Sequence, residues 1–410
     1  MGTKKTRTVG TVVRGIRTPI IKRGDKLDDI VLDCVLNCAK NEGFEFSDKD
    51  IVGITEAVVA RAQGNYVTID DVAADVKEKF DIDNEKNEEI GVIFPILSRN
   101  RFAVGLKGIA LAVKKIYLML SYPSDEVGNQ LFDIDSFEDT VDWHELQVIK
   151  GGFGEKKYRE LFGYPTHLFT GVDYVEYYKT LIEESGAQVE IIFSNNCCDI
   201  LNYTKNILTC DIHTRKSTKR KLLAKGAEKV FNLEDICTKP INGSGYNESF
   251  GLLGFNRATE NTLKLFPRDC RDFVNSLAAK FKAATNKQIE VLIFGDGAFK
   301  DPQGKIWELA DPVVSPAYTE GLDGVPNEIK IKYLADNQFS DLKGEELDKA
   351  IKEYVKNKET DLKASMLSQG TTPRRIPDLL GSLCDLSSGS GDKGTPVVLI
   401  QGYFDNISSY

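Results

Sequence analysis

The sequence contains few of the residues from which transition-metal centres are usually built. Only three histidines occur among its 410 residues, His144, His167 and His213, and no two of its eight cysteines are spaced as C-x-x-C. A zinc site or a multi-histidine site therefore has no support, and the cysteines are interpreted as reduced, mainly buried thiols. Any bound divalent cation would need carboxylate ligands, which indicates magnesium or manganese.

Long apolar runs are also missing. No run reaches the ~18 residues that span a bilayer, and the first residues lack the apolar stretch of a signal peptide, so we expect a cytoplasmic protein without membrane association. The chain carries 53 basic and 62 acidic residues, a formal charge of −9, which opposes a broad nucleic-acid surface. A basic run over residues 215–225 is more typical of a solvated helix face, with phosphate or nucleic-acid contact as the alternative.

Common catalytic and nucleotide-binding motifs are absent as well. The sequence has no G-x-x-x-x-G-K-[ST] run, no G-x-G-x-x-G after a convincing strand and no G-x-S-x-G elbow. A P-loop, a dinucleotide fingerprint and a serine hydrolase site are therefore not predicted. No residue is assigned as a catalytic acid, base or nucleophile.

The pattern of apolar residues predicts a mixed α/β fold. Helical spacing begins at Leu27 and continues to Cys38, with Gly43 placed to end the helix. A second apolar stripe at helical spacing runs from Leu106 to Leu120 and is interpreted as one buried helix. At 410 residues the chain is longer than one typical domain, so two domains or a large insert are expected.

The middle of the chain has the pattern of an inserted domain. Helical patterns over 172–185 and 217–225 alternate with strand patterns over 188–193 and 207–210, which favours a small αβα layer with a parallel sheet. We therefore predict a core interrupted by an inserted α/β domain. Its parts are residues 1–130 (first part of the core), 131–250 (insert) and 251–410 (second part of the core).

One strand ends in a candidate metal ligand. Residues 289–294 are almost all apolar, as in a strand covered on both faces, and Asp296 follows between Gly295 and Gly297. Ligands of open α/β sheets bind just beyond such strand ends, and glycines let a phosphate approach the backbone closely. From this feature alone, a simple tight turn is the competing interpretation.

A second acidic group consists of Asp125 and Glu126, followed by Gly128 and Asn129. We predict that this group ends the helix that runs through Leu120. By itself such a group is more often a solvated loop. Together with Asp296 it would hold one or two cations that bridge nucleotide phosphates, as carboxylates do in phosphoryl transfer.

Five segments resemble those of one known family, in the same order. Residues 15–25 (GIRTPIIKRGD) look like its strand, loop and helix start, and residues 55–64 (TEAVVARAQG) are similar to its T-x-K-I-V-S-K-A-E-G motif. Residues 293–302 (IFGDGAFKDP) resemble I-T-D-T-F-G-R-P. Residues 376–386 (IPDLLGSLCDL) and 394–402 (GTPVVLIQG) resemble its closing helix and strand. The chain is thus similar to the coenzyme F-420-0 gamma-glutamyl ligase family.

The resemblance implies an enzyme that uses GTP, or ATP, with Mg²⁺ or Mn²⁺ to activate a carboxylate acceptor as an acyl phosphate, to which an amino acid, expected to be L-glutamate, is then added. It also implies a homodimer. The implied metal ligands are Asp125, Asp296 and Asp378. The implied nucleotide and phosphate contacts are Arg61, Gly295, Gly297 and Arg375.

Two departures from the family pattern keep an alternative open. Ala57 stands where the family commonly has lysine, and Gly297 where it has threonine. A non-catalytic nucleotide-binding or metal-binding protein on the same scaffold is therefore the second hypothesis. A third, a dinucleotide site within 166–237, is disfavoured because the segment after its first strand lacks the glycines that a pyrophosphate requires.

Overall fold

The computed structural model describes residues 9–82, 88–98, 101–137, 141–142, 149, 151–168, 170–295, 313–358, 362, 365–368, 374–387 and 392–405. The strands are β1 (Val12–Ile16), β2 (Ile51–Thr55), β3 (Tyr66–Thr68), β4 (Glu89–Ile93), β5 (Lys115–Leu120), β6 (Phe153–Gly154), β7 (Gln188–Phe193), β8 (Asn206–Thr209), β9 (Lys229–Asn232), β10 (Asn256–Arg257), β11 (Thr262–Lys264), β12 (Glu290–Phe294), β13 (Ala317–Tyr318) and β14 (Val397–Gln401).

The described α-helices of eight or more residues are α1 (Leu27–Glu42), α2 (Glu56–Gln63), α3 (Ile69–Phe80), α4 (Phe102–Ala110), α5 (Glu155–Phe162), α6 (Tyr174–Glu184), α7 (Arg215–Ala224), α8 (Cys270–Thr285), α9 (Gly344–Lys356) and α10 (Ile376–Ser387). These elements confirm the predicted mixed α/β class. None of the described helices has the length and apolar character needed to cross a membrane.

The chain divides into two compact units. The first unit takes the described residues up to 59, those from 269 to 297 and those from 313 onward, and the second takes those from 60 to 268. The division predicted from the sequence, with boundaries at 130 and 250, stays a prediction. The two units are divided at other positions, because strands on either side of residue 130 pair in one sheet.

The first unit is built on a five-stranded sheet in the order β1-β14-β2-β12-β13. Strands β2 and β12 are parallel and the other pairs are antiparallel. Every residue of β2, β12 and β14 is buried, as expected for strands covered on both faces. A methyl group added at Gly53 of β2 would meet Cys384 Sγ of α10 at 2.6 Å, so the glycine lets α10 pack closely against the sheet.

The second unit contains a six-stranded sheet in the order β6-β7-β5-β4-β8-β9, and a three-stranded sheet, β10-β11-β3. In the larger sheet all pairs except β6 with β7 are parallel. Taken in chain order, its five parallel strands are arranged 3-2-1-4-5, which is the order of doubly wound α/β sheets. The sequence predicted a parallel layer formed by the insert's own strands, but β5 and β4, which precede residue 130, lie between β7 and β8 in this sheet.

The single helix predicted from Leu106 to Leu120 is wrong. Helix α4 ends at Ala110, and strand β5 begins at Lys115. Residues 116–120 are all buried between β4 and β7, so they form the continuous apolar run of a covered parallel strand. Such a run also satisfies helical spacing over a short window, and periodicity alone does not separate the two structures.

Helix α3 begins with a reciprocal cap, which gives a first testable prediction. Thr68 Oγ1 accepts a hydrogen bond from Asp71 N at 3.1 Å, and Thr68 N donates to Asp71 Oδ2 at 2.8 Å. We expect Thr68→Ala to lower the free energy of unfolding by about 1 kcal/mol, measured by urea denaturation, because one terminal N–H loses its acceptor. Thr180→Ala, at an exposed position inside α6, is the control and should be neutral or slightly stabilising.

Candidate functional site

The carboxyl ends of two parallel strands meet at one edge of the sheet in the first unit. Thr55, the last residue of β2, is level with Phe294, the last residue of β12. The N–H of Thr55 donates to Pro396 O at 3.0 Å, so the start of β14 comes to the same edge. We call these residues, with Glu56 and Gly295 that follow the two strands, the β2–β12 edge.

A short series of hydrogen bonds joins this edge to the start of α10. The N–H of Gly295 donates to Val314 O at 2.8 Å. The next residue, Ser315, is buried, and its hydroxyl donates to Pro377 O at 2.7 Å. Asp378 directly follows Pro377 in the first turn of α10. The structure therefore brings two predicted site residues, Gly295 and Asp378, into one region of the first unit.

Arg375 lies just before α10 and is held by β13. Its guanidinium group donates a hydrogen bond to the hydroxyl of Tyr318 and another to Asp323 Oδ1 at 3.4 Å, and it lies 5.5 Å from the centroid of the Tyr318 ring. The side chain is nonetheless exposed. A guanidinium has five N–H donors in a planar fork, so further donors remain for a phosphate oxygen.

Glu56 is a further candidate site residue, which the sequence patterns did not single out. Glu56 is the first residue of α2, it follows β2 directly, and its side chain is 4% exposed. Burial, with a smaller effect from the charges of Glu56 and Asp269, raises the pKa of the Cys270 thiol to about 12. A carboxylate close after a buried, mainly apolar strand is similar to the pattern that drew attention to Asp296, and it was available in the sequence.

Asp125 belongs to the second unit and follows strand β5, so the helix that it was predicted to end is absent there. The carboxylate is buried and accepts four hydrogen bonds. Oδ1 accepts from the N–H groups of Val127 and Asn129, and Oδ2 from Leu97 N and Asn129 Nδ2, at 2.8 to 3.1 Å. Burial raises the pKa of Asp125 to about 6, although the four donors act to lower it.

These contacts indicate a structural role for Asp125, because its side chain links the loop after β5 to the loop after β4 by a hydrogen bond. Both carboxylate oxygens already have protein donors. A cation bound there would have to share or replace them. Its role as a metal ligand stays a prediction.

The remaining predicted residues are distributed over the chain. Arg61 lies in the last turn of α2, is exposed and belongs to the second unit. Asp296 and Gly297 lie outside the described residues. The structure thus brings together Gly295, Arg375 and Asp378 within the first unit, and the complete predicted set stays a prediction.

The described residues offer ligands for a hard cation but not a complete protein cage. Within the parts of the chain that the structure describes, no group of three or more His, Cys, Asp or Glu side chains is arranged to hold a metal ion. Mg²⁺ usually keeps several waters and binds through one or two carboxylates together with substrate phosphates. The carboxylates of Glu56 and Asp378, both in the region of the β2–β12 edge, have the chemistry that such a cation requires.

Comparison with known proteins adds one positive finding. The sequence matches the family model described as F420-0:Gamma-glutamyl ligase over residues 15–402, which includes every predicted site residue. A comparison with curated proteins finds no match.

Proposed function

Since the chain belongs to the F420-0:gamma-glutamyl ligase family, a family of glutamate ligases, we propose that it forms an amide between the amino group of L-glutamate and a carboxylate acceptor, driven by GTP or ATP. The acceptor carboxylate attacks the terminal phosphorus of the nucleotide and releases the nucleoside diphosphate. The glutamate nitrogen then attacks the carbonyl carbon of the acyl phosphate, inorganic phosphate leaves, and the nitrogen loses its proton.

The observation that carries this proposal is the β2–β12 edge. Two parallel strands end side by side there, and the first turn of α10 joins them through Ser315. Ligands of open α/β sheets bind beyond the carboxyl ends of the strands, so this edge is the expected place for the nucleotide phosphates.

The donor chemistry of the edge supports the same site. Asp378, Glu56 and, from the sequence pattern, Asp296 would hold Mg²⁺ or Mn²⁺, which offsets charge on the phosphates when bound. Arg375 would bind phosphate oxygens through its guanidinium group, and Arg61 stays a phosphate contact predicted from the sequence alone. Asp125 stays a metal ligand predicted from the sequence alone.

We further propose that the enzyme is located in the cytoplasm, forms a homodimer and acts on small-molecule substrates. The net charge of −9 favours these over nucleic-acid partners. Size-exclusion chromatography with light scattering checks the dimer.

Turnover tests the function directly. The purified chain is incubated with Mn²⁺, L-glutamate, GTP or ATP, and a panel of carboxylate acceptors that includes coenzyme F420-0, and nucleoside diphosphate release is followed. We expect release that requires both an acceptor and glutamate, together with a product heavier than the acceptor by one glutamyl residue. Release that is unaffected when glutamate is omitted would contradict amide ligation.

The alternative is a protein that binds nucleotide and metal without turnover. It is favoured by Ala57, which directly follows Glu56 at the β2–β12 edge and replaces a lysine common in the family. Without that ammonium group, one positive charge near the proposed phosphates is missing. Calorimetric binding of GTP with Mn²⁺, combined with no diphosphate release for any acceptor, would support this alternative.

A further inference from the structure

Two adjacent thiols lie in the loop that follows β7, in the second unit. Cys197 and Cys198 open a 3-10 helical turn, Cys197–Asn202, and their sulfur atoms are 4.0 Å apart. Cys197 is 6% exposed, Cys198 is half-buried, and neither forms a disulfide. Neither thiol belongs to the β2–β12 edge.

Hydrogen bonds hold the turn that presents the two thiols. Asn196 Oδ1 accepts from Cys198 N at 3.2 Å, and Asn196 Nδ2 donates to Asp199 Oδ1 at 2.8 Å. The other oxygen of Asp199 accepts from the Ser194 hydroxyl at 2.7 Å. The sulfur-to-sulfur spacing is therefore set by a pre-organised turn, a condition for selective ligand binding.

The geometry does not suit a disulfide. The Cα atoms of adjacent residues joined by a trans peptide are about 3.8 Å apart, whereas disulfides join Cα atoms about 4.4 to 6.8 Å apart. A bond between Cys197 and Cys198 would also require the sulfurs to close from 4.0 Å to about 2.05 Å. The turn would have to be distorted to allow it.

The same spacing suits a bridging metal ion. Metal–thiolate bonds are about 2.3 Å long, and two such bonds that span 4.0 Å enclose an angle of about 120°. This is the angle of a trigonal site. Zinc would require four ligands, and no group of three or more candidate side chains occurs in the described parts of the chain. Thiolates are soft ligands that favour Cu(I).

The surroundings are apolar on one side. Cys197 packs in a cluster with Ile192, Ile200 and Leu222, which disfavours a strongly hydrated hard cation. Burial, together with a smaller effect of the neighbouring Cys198, raises the pKa of the Cys197 thiol to about 11. The Cys197 thiol is therefore protonated at neutral pH, and a metal ion must displace its proton on binding.

We propose that Cys197 and Cys198 form a binding site for a soft monovalent cation of the Cu(I) class. The two sulfurs bind as thiolates, and a small thiol from solution supplies the third sulfur. Each of the three thiols loses one proton to solvent as its metal–sulfur bond forms. No oxidation or reduction takes place, because the ion enters as Cu(I) and the sulfurs remain thiolates.

Competitive titration tests the site. Cu(I) is added anaerobically to the full chain in the presence of glutathione and a chromophoric Cu(I) chelator. We expect one ion per chain to be retained against the chelator. Cys198→Ser and Cys197→Ala should each weaken retention about 100-fold, because loss of one sulfur removes the chelate advantage. Cys198 is half-buried, so its serine variant is expected to fold even if Cys197→Ala does not.

The control is a second pair of neighbouring thiols, both of them half-buried. Cys34 and Cys38 lie one turn apart on α1, and the variant Cys34→Ser/Cys38→Ser should retain Cu(I) as the wild type does. Three results would overturn the proposal: no retention by the wild type, retention unchanged in folded Cys198→Ser, or equal loss in the α1 control. A Cys197–Cys198 disulfide found by mass spectrometry in freshly purified protein would overturn it as well, in favour of a redox pair.

Discussion

Replacing Asp125 with alanine is expected to lower the free energy of unfolding by about 3 kcal/mol or more, because four buried donors lose their acceptor. Three of these donors are backbone N–H groups, of Leu97, Val127 and Asn129, and water does not reach them easily in a site where the Asp125 side chain is 7% exposed. Asp125→Asn should recover part of the loss, since its amide oxygen still accepts two hydrogen bonds. Urea denaturation at pH 7 measures both variants.

The difference in unfolding free energy between the wild type and Asp125→Ala should change with pH in a defined direction. Burial raises the pKa of Asp125 to about 6 in the folded state, above the 3.8 of a solvent-exposed aspartate. The folded protein therefore binds the proton of the Asp125 carboxyl more tightly than the unfolded chain does. The stabilisation that this proton provides is fully present below pH 3.8 and is lost as the pH rises through 6. The stability gap between wild type and Asp125→Ala should widen by about 1 kcal/mol from pH 7 to pH 5.

Asp133→Asn serves as the matched control. Asp133 lies eight residues further along the chain, is only half-buried, and accepts one hydrogen bond from the exposed Ser136 hydroxyl at 3.0 Å. Its replacement should change stability by less than about 0.5 kcal/mol. A loss for Asp125→Ala no larger than that of the control would contradict the anchoring role.

Local sequence patterns predicted secondary-structure elements correctly where a pattern had only one interpretation. The strand predicted over 188–193 coincides with β7, and the helix predicted to begin near Leu27 and to stop at Gly43 is α1 with a left-handed glycine after it. The apolar run before Leu120 had two interpretations. Only its pairing with β4 and β7, which is non-local, makes it a strand.

The candidate site was harder to predict, because its parts are distant in sequence. Thr55 and Phe294 are level in adjacent strands, and no local pattern reveals that β2 pairs with β12. The bond from Ser315 to Pro377 depends in the same way on tertiary packing. The strand-end pattern identified Gly295 and the family resemblance identified Asp378, whereas Glu56 was not selected although it also follows a buried strand.

Replacement of the proposed cation ligands should have the largest effect on turnover. We expect Asp378→Asn and Asp296→Asn each to lower diphosphate release about 100-fold or more, because an amide neither carries the charge nor binds a hard cation as strongly as a carboxylate. Asp378 lies in the first turn of α10 and is only half-buried, so asparagine should be accepted without unfolding. The loss should be partly relieved at high Mn²⁺ concentration.

Asp385→Asn provides the comparison for Asp378→Asn. It removes the same charge from the same helix, about two turns further along α10. Turnover of this variant should stay within about twofold of the wild type, because surface charges distant from the phosphates are screened by salt. Equal losses in Asp378→Asn and Asp385→Asn would indicate that α10 contributes through its overall charge, and Asp378 would then be removed from the proposed site.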